Sequence, residues 1–196
     1  MELKNGIKTF YAKNSLAWRN WLIKNHFTEN SVWLIIYKKD SKTPSITYSE
    51  AVDQALCYGW IDSKPNKRDE NSFYQFFSKR KPKSSWSKIN KEKVKFLISE
   101  NLMSESGLSA IKIAKENGSW DRLNEVDNLI LPDDLTIAFK KNKLAYTYWN
   151  KFSRSVKQGI LQWLLSAKRI ETRRKRINDI VSLAEKNMKA NQYVKK

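Results

Sequence analysis

The sequence predicts an α+β fold, in which a small three-stranded sheet packs on helices and an all-helical C-terminal half follows. Residues 32–37 form a continuous β-branched and aromatic run, which is typical of a strand covered on both faces. Residues 60–64 and 72–78 are two further strand-like segments, and the polar residues 65–71 between them predict a turn. From residue 87 onward apolar residues recur every three or four positions, which indicates helices.

Two helices are expected beside the strands. Ser15 is a suitable cap for a helix that runs to about His26. Thr47 and Glu50 form a capping box, in which the hydroxyl accepts from an amide of the first turn and the carboxylate reaches back. Gly59 is expected to end that second helix, because glycine adopts the left-handed conformation of a helix terminus at little cost.

The remaining elements are expected to be helical, and they set the organisation that we predict. Cap residues recur along this half of the chain, at Ser104, Asn142 and either Ser153 or Ser155, and Pro132 suits the first helical position of another helix. We expect residues 1–90 to form an α+β core with an aromatic-basic hairpin, and residues 91–196 to form a helical region packed on the same body. The chain is then a single domain overall, and its tail at residues 191–196 is expected to fray.

Residue usage argues against several functional classes. Cys57 is the only cysteine and His26 the only histidine, so an internal disulfide, a multi-cysteine zinc site and a histidine metal cluster are excluded. The five glycines are scattered and form no phosphate-binding loop. No apolar run approaches the ~20 residues of a membrane span, and the amino terminus does not resemble a signal peptide. We therefore expect a cytoplasmic protein without membrane insertion, metal or cofactor.

The net charge of +18 is distributed unevenly. Residues 1–63 carry +2, residues 64–95 carry +8, residues 96–139 carry −5 and residues 140–196 carry +13. Two basic blocks around an acidic one predict a surface field that attracts anions. The alternative is that most of the lysines only solvate the surface, as they do throughout lysine-rich proteomes.

The densest mixture of rings and cations lies in the predicted hairpin and the loop that follows it. The candidate binding residues are Trp60, Asp62, Lys64, Tyr74, Phe76, Arg80, Lys81, Lys83, Trp86 and Lys88. Base stacking on aromatic rings contributes about 1–3 kcal/mol per base and cations neutralise phosphates, so outward-facing rings here favour single-stranded nucleic acid or another polyanion. The alternative is that the rings form the sheet core and the cations its solvated rim.

Single residues leave further alternatives open. His26 lies at a helix end, where it suits a structural cap, and Cys57 lies among apolar neighbours, where it suits packing. Asp62 is either an acceptor for backbone or indole donors or a ligand contact. A rival function is therefore a small-molecule enzyme whose pocket lies beside the helix at residues 48–58 and uses Asp62, with or without Glu50. A third is a protein–protein module whose last helix docks a partner.

Five segments carry a resemblance to a known family. They are residues 17–22 (AWRNWL), 32–39, 49–63 (with ALCYGWIDS), 80–90 (RKPKSSWSKIN) and 166–177 (SAKRIETRRKRI). On these segments the chain resembles the YdeI/OmpD-associated, or bacteriocin-protection, family over nearly its whole length. Lys81 and Ser84 depart from the family pattern, in which arginine or a small residue is expected.

The resemblance implies a bacterial protein linked to survival of bacteriocins or cationic antimicrobial peptides. It implies no catalytic residues and no cofactor. The family names point to outer-membrane partners, but a chain with a net charge of +18 repels a cationic peptide, so protection is expected to be indirect and to act from inside the cell. Together these features predict a non-enzymatic, cytoplasmic, stress-associated protein that binds an anionic partner, with a protein partner as a further expectation.

Overall fold

The computed structural model describes residues 2–191, which fold into five strands and nine helices. Contacts between residues divide the chain into two compact units, Met1–Asp121 and Arg122–Lys196. The expectation of a single domain overall stays a prediction. Residues 192–196, most of the tail that we expect to fray, lie outside the described residues.

The first unit contains a five-stranded mixed sheet. Its strands are β1 Leu3–Lys4, β2 Ile7–Tyr11, β3 Ser31–Tyr37, β4 Trp60–Lys67 and β5 Ser72–Lys79. The spatial order is β1-β2-β3-β5-β4, with β2 and β3 parallel and every other pair antiparallel. Strand β5 therefore lies between β3 and β4, and β4 is an edge strand.

The predicted three-stranded sheet is wrong in strand number, although the α+β class is right. The two additional strands form a tight hairpin at the amino terminus, where Asn5 and Gly6 take positive φ angles of 52° and 75°. Strand β2 then pairs in parallel with β3, and a helix lies between these two strands along the chain. The sequence pattern misses them because β1 has only two residues and β2 finds its partner through a crossover.

Four helices complete the first unit. They are α1 Ser15–Asn25, α2 Tyr48–Cys57, α3 Lys88–Ser99 and α4 Glu105–Glu116. The capping box of Thr47 and Glu50 is confirmed at the start of α2. The predicted cap of α1 is wrong by one residue, because Asn14 Oδ1 accepts from Ala17 N at 2.9 Å and Ser15 is already helical.

The core of the first unit lies between the sheet and helices α1 and α2. Val32, Leu34 and Ile36 of β3 point to this side, as strand alternation requires. Trp18 of α1 is fully buried there, and its Nε1 donates to the Ala51 carbonyl oxygen at 3.1 Å. A smaller apolar cluster on the opposite sheet face contains Trp33, Ile35 and Tyr74.

The second unit is helical throughout its described residues. Its helices are α5 Asn124–Asp127, α6 Asp133–Lys141, α7 Lys143–Lys151, α8 Arg154–Leu165 and α9 Ile170–Glu185. Pro132 precedes α6 as its cap and is not the first helical residue that was expected. Arg173 of α9 binds both carboxylate oxygens of Asp134 at 2.5 and 2.9 Å, which joins α9 to α6. Within residues 2–191 no helix has the length and apolar composition that crossing a bilayer requires.

Helix α4 packs directly against the C-terminal end of α2. Ser104 donates to the Cys57 carbonyl oxygen from both its amide, at 3.0 Å, and its hydroxyl, at 2.6 Å. A Cβ added to Gly107 would lie 2.2 Å from that same oxygen and 2.8 Å from Met103 Cε. Only glycine therefore fits at position 107. Cys57 is buried as expected, and burial raises the pKa of its thiol.

Gly107→Ala is expected to lower the free energy of unfolding of the first unit by about 1–3 kcal/mol, because the added methyl meets a backbone carbonyl that cannot move away cheaply. Gly159→Ala is the matched control, since Gly159 also lies within a helix but has open space around its Cβ position. That change should be neutral or stabilising by up to about 1 kcal/mol. Urea unfolding measures both. A Gly107→Ala protein with the parental midpoint would show that the approach of α4 is not sterically limited.

Candidate functional site

A cleft of about 540 Å³ opens in the first unit where several elements end. It lies between the C-terminal ends of α1 and α2, the start of β4 beside the end of β5, and helix α4. Its polar side chains are His26, Lys79, Arg80, Lys81, Glu105, Ser106 and Ser109. Three consecutive cations from the end of β5 thus face one carboxylate and two hydroxyls of α4.

Gly59 holds the backbone at the centre of these elements. Its φ of +71° ends α2 as predicted, and its carbonyl oxygen accepts from Arg80 N at 3.0 Å. A Cβ at this position would lie 3.0 Å from the Ser106 carbonyl oxygen and 3.3 Å from Ala110 Cβ. Glycine here therefore lets α4 come close enough to form the second wall of the cleft.

Arg80 is a mostly buried cation that lines this cleft. Its guanidinium stacks 3.7 Å above the Trp86 ring, and one terminal nitrogen donates to the Ser85 carbonyl oxygen at 2.9 Å. Burial lowers the pKa of the guanidinium to about 10, against a weaker opposing effect of Asp62, so Arg80 stays charged at neutral pH. Among residues 2–191 it forms no ion pair, and its Nε is buried without a hydrogen-bond partner.

The two tryptophans beside Arg80 face inward, as expected from the alternative in which the rings form the core, and their role in binding stays a prediction. Trp60 and Trp86 are each only 1% exposed and belong to the core of the first unit. Trp60 packs edge-on against Trp21, with ring centroids 5.7 Å apart. Within the described residues the Nε1 donors of Trp60 and Trp86 are buried without an acceptor. Neither ring can stack on a nucleobase in this arrangement.

Tyr74 and Phe76 lie on the opposite face of the sheet from these tryptophans. Tyr74 is 7% exposed, donates its hydroxyl to Glu2 and lies 4.2 Å from the Lys4 ammonium. Phe76 packs edge-on against Trp33 at 4.8 Å. Arg80 follows the end of β5 and stacks on Trp86 of the main core cluster, whereas these rings belong to the smaller cluster, so the predicted aromatic-basic residues do not form one surface.

The predicted lysines are exposed, and they are not grouped at one point. Lys81 lines the cleft, while Lys64 belongs to the edge strand β4. Lys88 pairs with Glu92 at 4.0 Å, one turn further along α3. Lys83 is exposed in the loop before α3. Of the predicted cations, the structure brings only Arg80 and Lys81 to the cleft, and their role in binding stays a prediction.

Asp62 lies in a separate groove of about 350 Å³. Its Oδ2 accepts from the Tyr48 hydroxyl at 2.6 Å. Lys93 in the same groove binds Asp53 at 2.6 Å and Ser49 Oγ at 2.9 Å. An ammonium paired with a carboxylate has no lone pair with which to activate Ser49, so this group does not resemble a serine–lysine pair. Glu50, the other carboxylate considered for catalysis, is engaged in the α2 cap.

The cleft contains residues that the sequence did not single out for binding. Glu105, Ser106 and Ser109 come from α4. The contact of this helix with the start of β4 and the end of β5 depends on tertiary packing that no local pattern encodes. His26 ends α1 as predicted, with its Nδ1 2.8 Å from the Leu22 carbonyl oxygen, and it also lines the cleft. Within the described residues no group of three metal-ligating side chains is present.

Tyr48 provides a measurable pH effect. Burial, then the hydrogen bond to Asp62 and the charge of that carboxylate, raise the pKa of Tyr48 from 10.0 to about 12. The neutral phenol is therefore favoured in the folded state, and its contribution to stability is fully present below pH 10 and lost as the pH rises towards 12. In an ultraviolet titration of tyrosinate, Asp62→Asn should move this ionisation part of the way back towards 10, and Tyr48→Phe should remove it. An Asp62→Asn curve that superimposes on the parental curve would contradict the coupling.

Comparison with known proteins gives one family match in each unit. Residues 10–110 match the family described as domain of unknown function (DUF8412). Residues 128–187 match the family described as bacteriocin-protection, YdeI or OmpD-associated. No curated protein and no solved structure gives a significant match.

The resemblance predicted from the sequence is thus confirmed for the second unit, and the segments quoted from residues 17–90 fall within the other family's match. The chain belongs to the domain of unknown function family DUF8412 and carries, in its second unit, the bacteriocin-protection, YdeI or OmpD-associated domain.

Proposed function

We propose that this is a non-enzymatic, stress-associated cytoplasmic protein that contributes to bacteriocin protection by binding an anionic partner at the mouth of the Arg80 cleft. The observation that carries the proposal is the buried charge of Arg80, which forms no ion pair within residues 2–191. An uncompensated buried charge costs several kcal/mol, and an anion that reaches it offsets that cost.

The neighbours of Arg80 extend the positive field outward. Lys79 donates to the Phe27 carbonyl oxygen at 2.7 Å, which uses its ammonium without neutralising its charge. Lys81 is exposed at the same mouth. The three cationic side chains of residues 79–81 therefore form a basic edge of the cleft. Such an edge attracts polyanions, including nucleic acid, through charge alone.

The link to bacteriocin protection comes from the match of residues 128–187. A net charge of +18 opposes direct capture of a cationic peptide, whereas it favours an anionic cellular partner. We therefore propose that protection is indirect and results from binding of that anionic partner. An enzyme that uses the Asp62 groove is the less favoured alternative, because one Asp62 oxygen is bound by Tyr48 and Lys93 is bound by Asp53.

Arg80→Met should weaken binding of an anionic probe by about tenfold or more, because a hydrogen bond to a charged group contributes about 1.5–3 kcal/mol. The same change should leave the free energy of unfolding unchanged or higher, since replacing a buried charge with a packed apolar chain is often stabilising by about 1–4 kcal/mol. Fluorescence anisotropy with a labelled single-stranded oligonucleotide and urea unfolding measure the two effects.

Arg176→Met is the matched control for Arg80→Met. Arg176 also stacks on a tryptophan, 4.7 Å above Trp163, but it donates to the Trp163 carbonyl oxygen and to Ser166 Oγ in the second unit. This change should lower stability and leave oligonucleotide affinity as in the parent. An Arg80→Met protein that is strongly destabilised and binds normally would show that Arg80 is structural.

Lys81→Ala should reduce the slope of log affinity against log salt by about 1, because one cation fewer meets the polyanion. The titration uses the same oligonucleotide between ~50 and ~200 mM salt, over which electrostatic binding falls steeply. Lys189→Ala, which removes an exposed cation from the second unit, should leave the slope unchanged. If the parental protein does not bind the oligonucleotide at low salt, or binds it with an affinity that does not depend on salt, the proposed function is wrong.

A further inference from the structure

We infer that the group that enters the Arg80 cleft is the carboxylate of an organic monoanion with an apolar body. This inference rests on the proposed function, because it names the chemistry that the same cleft accepts behind its basic edge. The carboxylate comes either from a free organic acid or from the carboxyl end of a peptide. The two sources share this chemistry, and the experiment below distinguishes them.

Two buried donors without an acceptor belong to residues that line the cleft. Trp60 is 1% exposed and its Nε1 has no partner among the described residues, and the same is true of the buried Nε of Arg80. Both residues line the cleft, and the hydrogen bond from Arg80 N to Gly59 O keeps them adjacent. Both groups only donate, and a buried donor without an acceptor is unfavourable. The two oxygens of a carboxylate supply the acceptors that are needed.

The charges around the cleft favour a single negative charge. Arg80 and its two lysine neighbours attract an anion, whereas Glu105 on the facing wall repels a second negative charge. The first amides of α4 follow Ser104 and add the positive end of a twelve-residue helix on the same side. A phosphate dianion or a row of phosphodiesters is therefore less suited to the interior of the cleft than one carboxylate.

The rest of the lining is apolar and sets the body of the ligand. Phe27 is 75% exposed, and Ile113 is 39% exposed, although both are large hydrophobic residues. Tyr58 and Ala110 continue this apolar lining beside Arg80. The volume of about 540 Å³ lies within the range of about 300–1,000 Å³ that is usual for small-molecule sites. A phenylalkyl or branched alkyl group adjoining the carboxylate suits these walls.

The test is a nuclear magnetic resonance titration of the tryptophan indole N–H groups in the full chain. The probes are 3-phenylpropanoate and the peptide N-acetyl-glycyl-phenylalanine with a free carboxyl end, each compared with its neutral amide. At ~20 mM, well above the ~1 mM constant of a weak site, the carboxylate probes should shift the Trp60 indole proton in a saturable way. The amides should not. Trp60→Phe assigns the signal by removing it.

Two substitutions on the α4 wall separate binding from folding. Ser109 is exposed and lines the cleft. Ser109→Phe should therefore fill the space and abolish the shift of the Trp60 indole signal, while Arg80 itself is not substituted. Ser109→Ala, the matched control, should keep it. Response to only one probe identifies the source of the carboxylate as free acid or peptide end.

The outcomes separate this inference from the proposed function. If oligonucleotide binding depends on Arg80 and salt but neither carboxylate shifts the Trp60 signal, the inference is wrong and the basic edge remains. If phenyl phosphate shifts that signal more strongly than 3-phenylpropanoate does, the assignment to a monocarboxylate is wrong. If the amides act as well as the acids, the cleft recognises the apolar body alone.

Discussion

The guanidinium of Arg80, stacked 3.7 Å above the Trp86 ring, is the interaction on which the candidate site depends. The stacked ring and the Ser85 carbonyl hold the charge in place, but neither neutralises it. Because burial alone disfavours a charged side chain, the fold retains Arg80 at a cost that an apolar residue would avoid. Residues kept at such a cost are typical of functional sites.

Two glycines shape the space around that charge. Gly107 lets α4 rest on the end of α2, and Gly59 lets the same helix approach the start of β4. Ser104 fixes the contact by donating twice to the Cys57 carbonyl oxygen. The wall that carries Glu105, Ser106 and Ser109 is thus positioned by backbone contacts, which give it a definite distance from the basic edge.

Local signals were the reliable part of the sequence. The Thr47–Glu50 box and the left-handed Gly59 depend on neighbouring residues only, and both are confirmed. Pairing across the chain was not predictable in this way, since β2 reaches β3 only after α1 has intervened. The rings show a similar limit: alternation along β5 puts Tyr74 and Phe77 on opposite faces, but it does not tell which face is covered. Arg80 and Lys81 were recognised by type, whereas the contribution of α4 required the tertiary structure.

The division of the chain after Asp121 also bears on biosynthesis. Each unit is formed by one uninterrupted stretch, and the five strands of residues 2–191 and the residues that line the cleft belong to the earlier one. Since domains generally fold as they leave the ribosome, the amino-terminal unit can complete its sheet and cleft while the helices that carry the bacteriocin-protection match are still being translated. Premature termination after that point would then leave a fragment that contains all the residues that line the cleft and lacks the second unit.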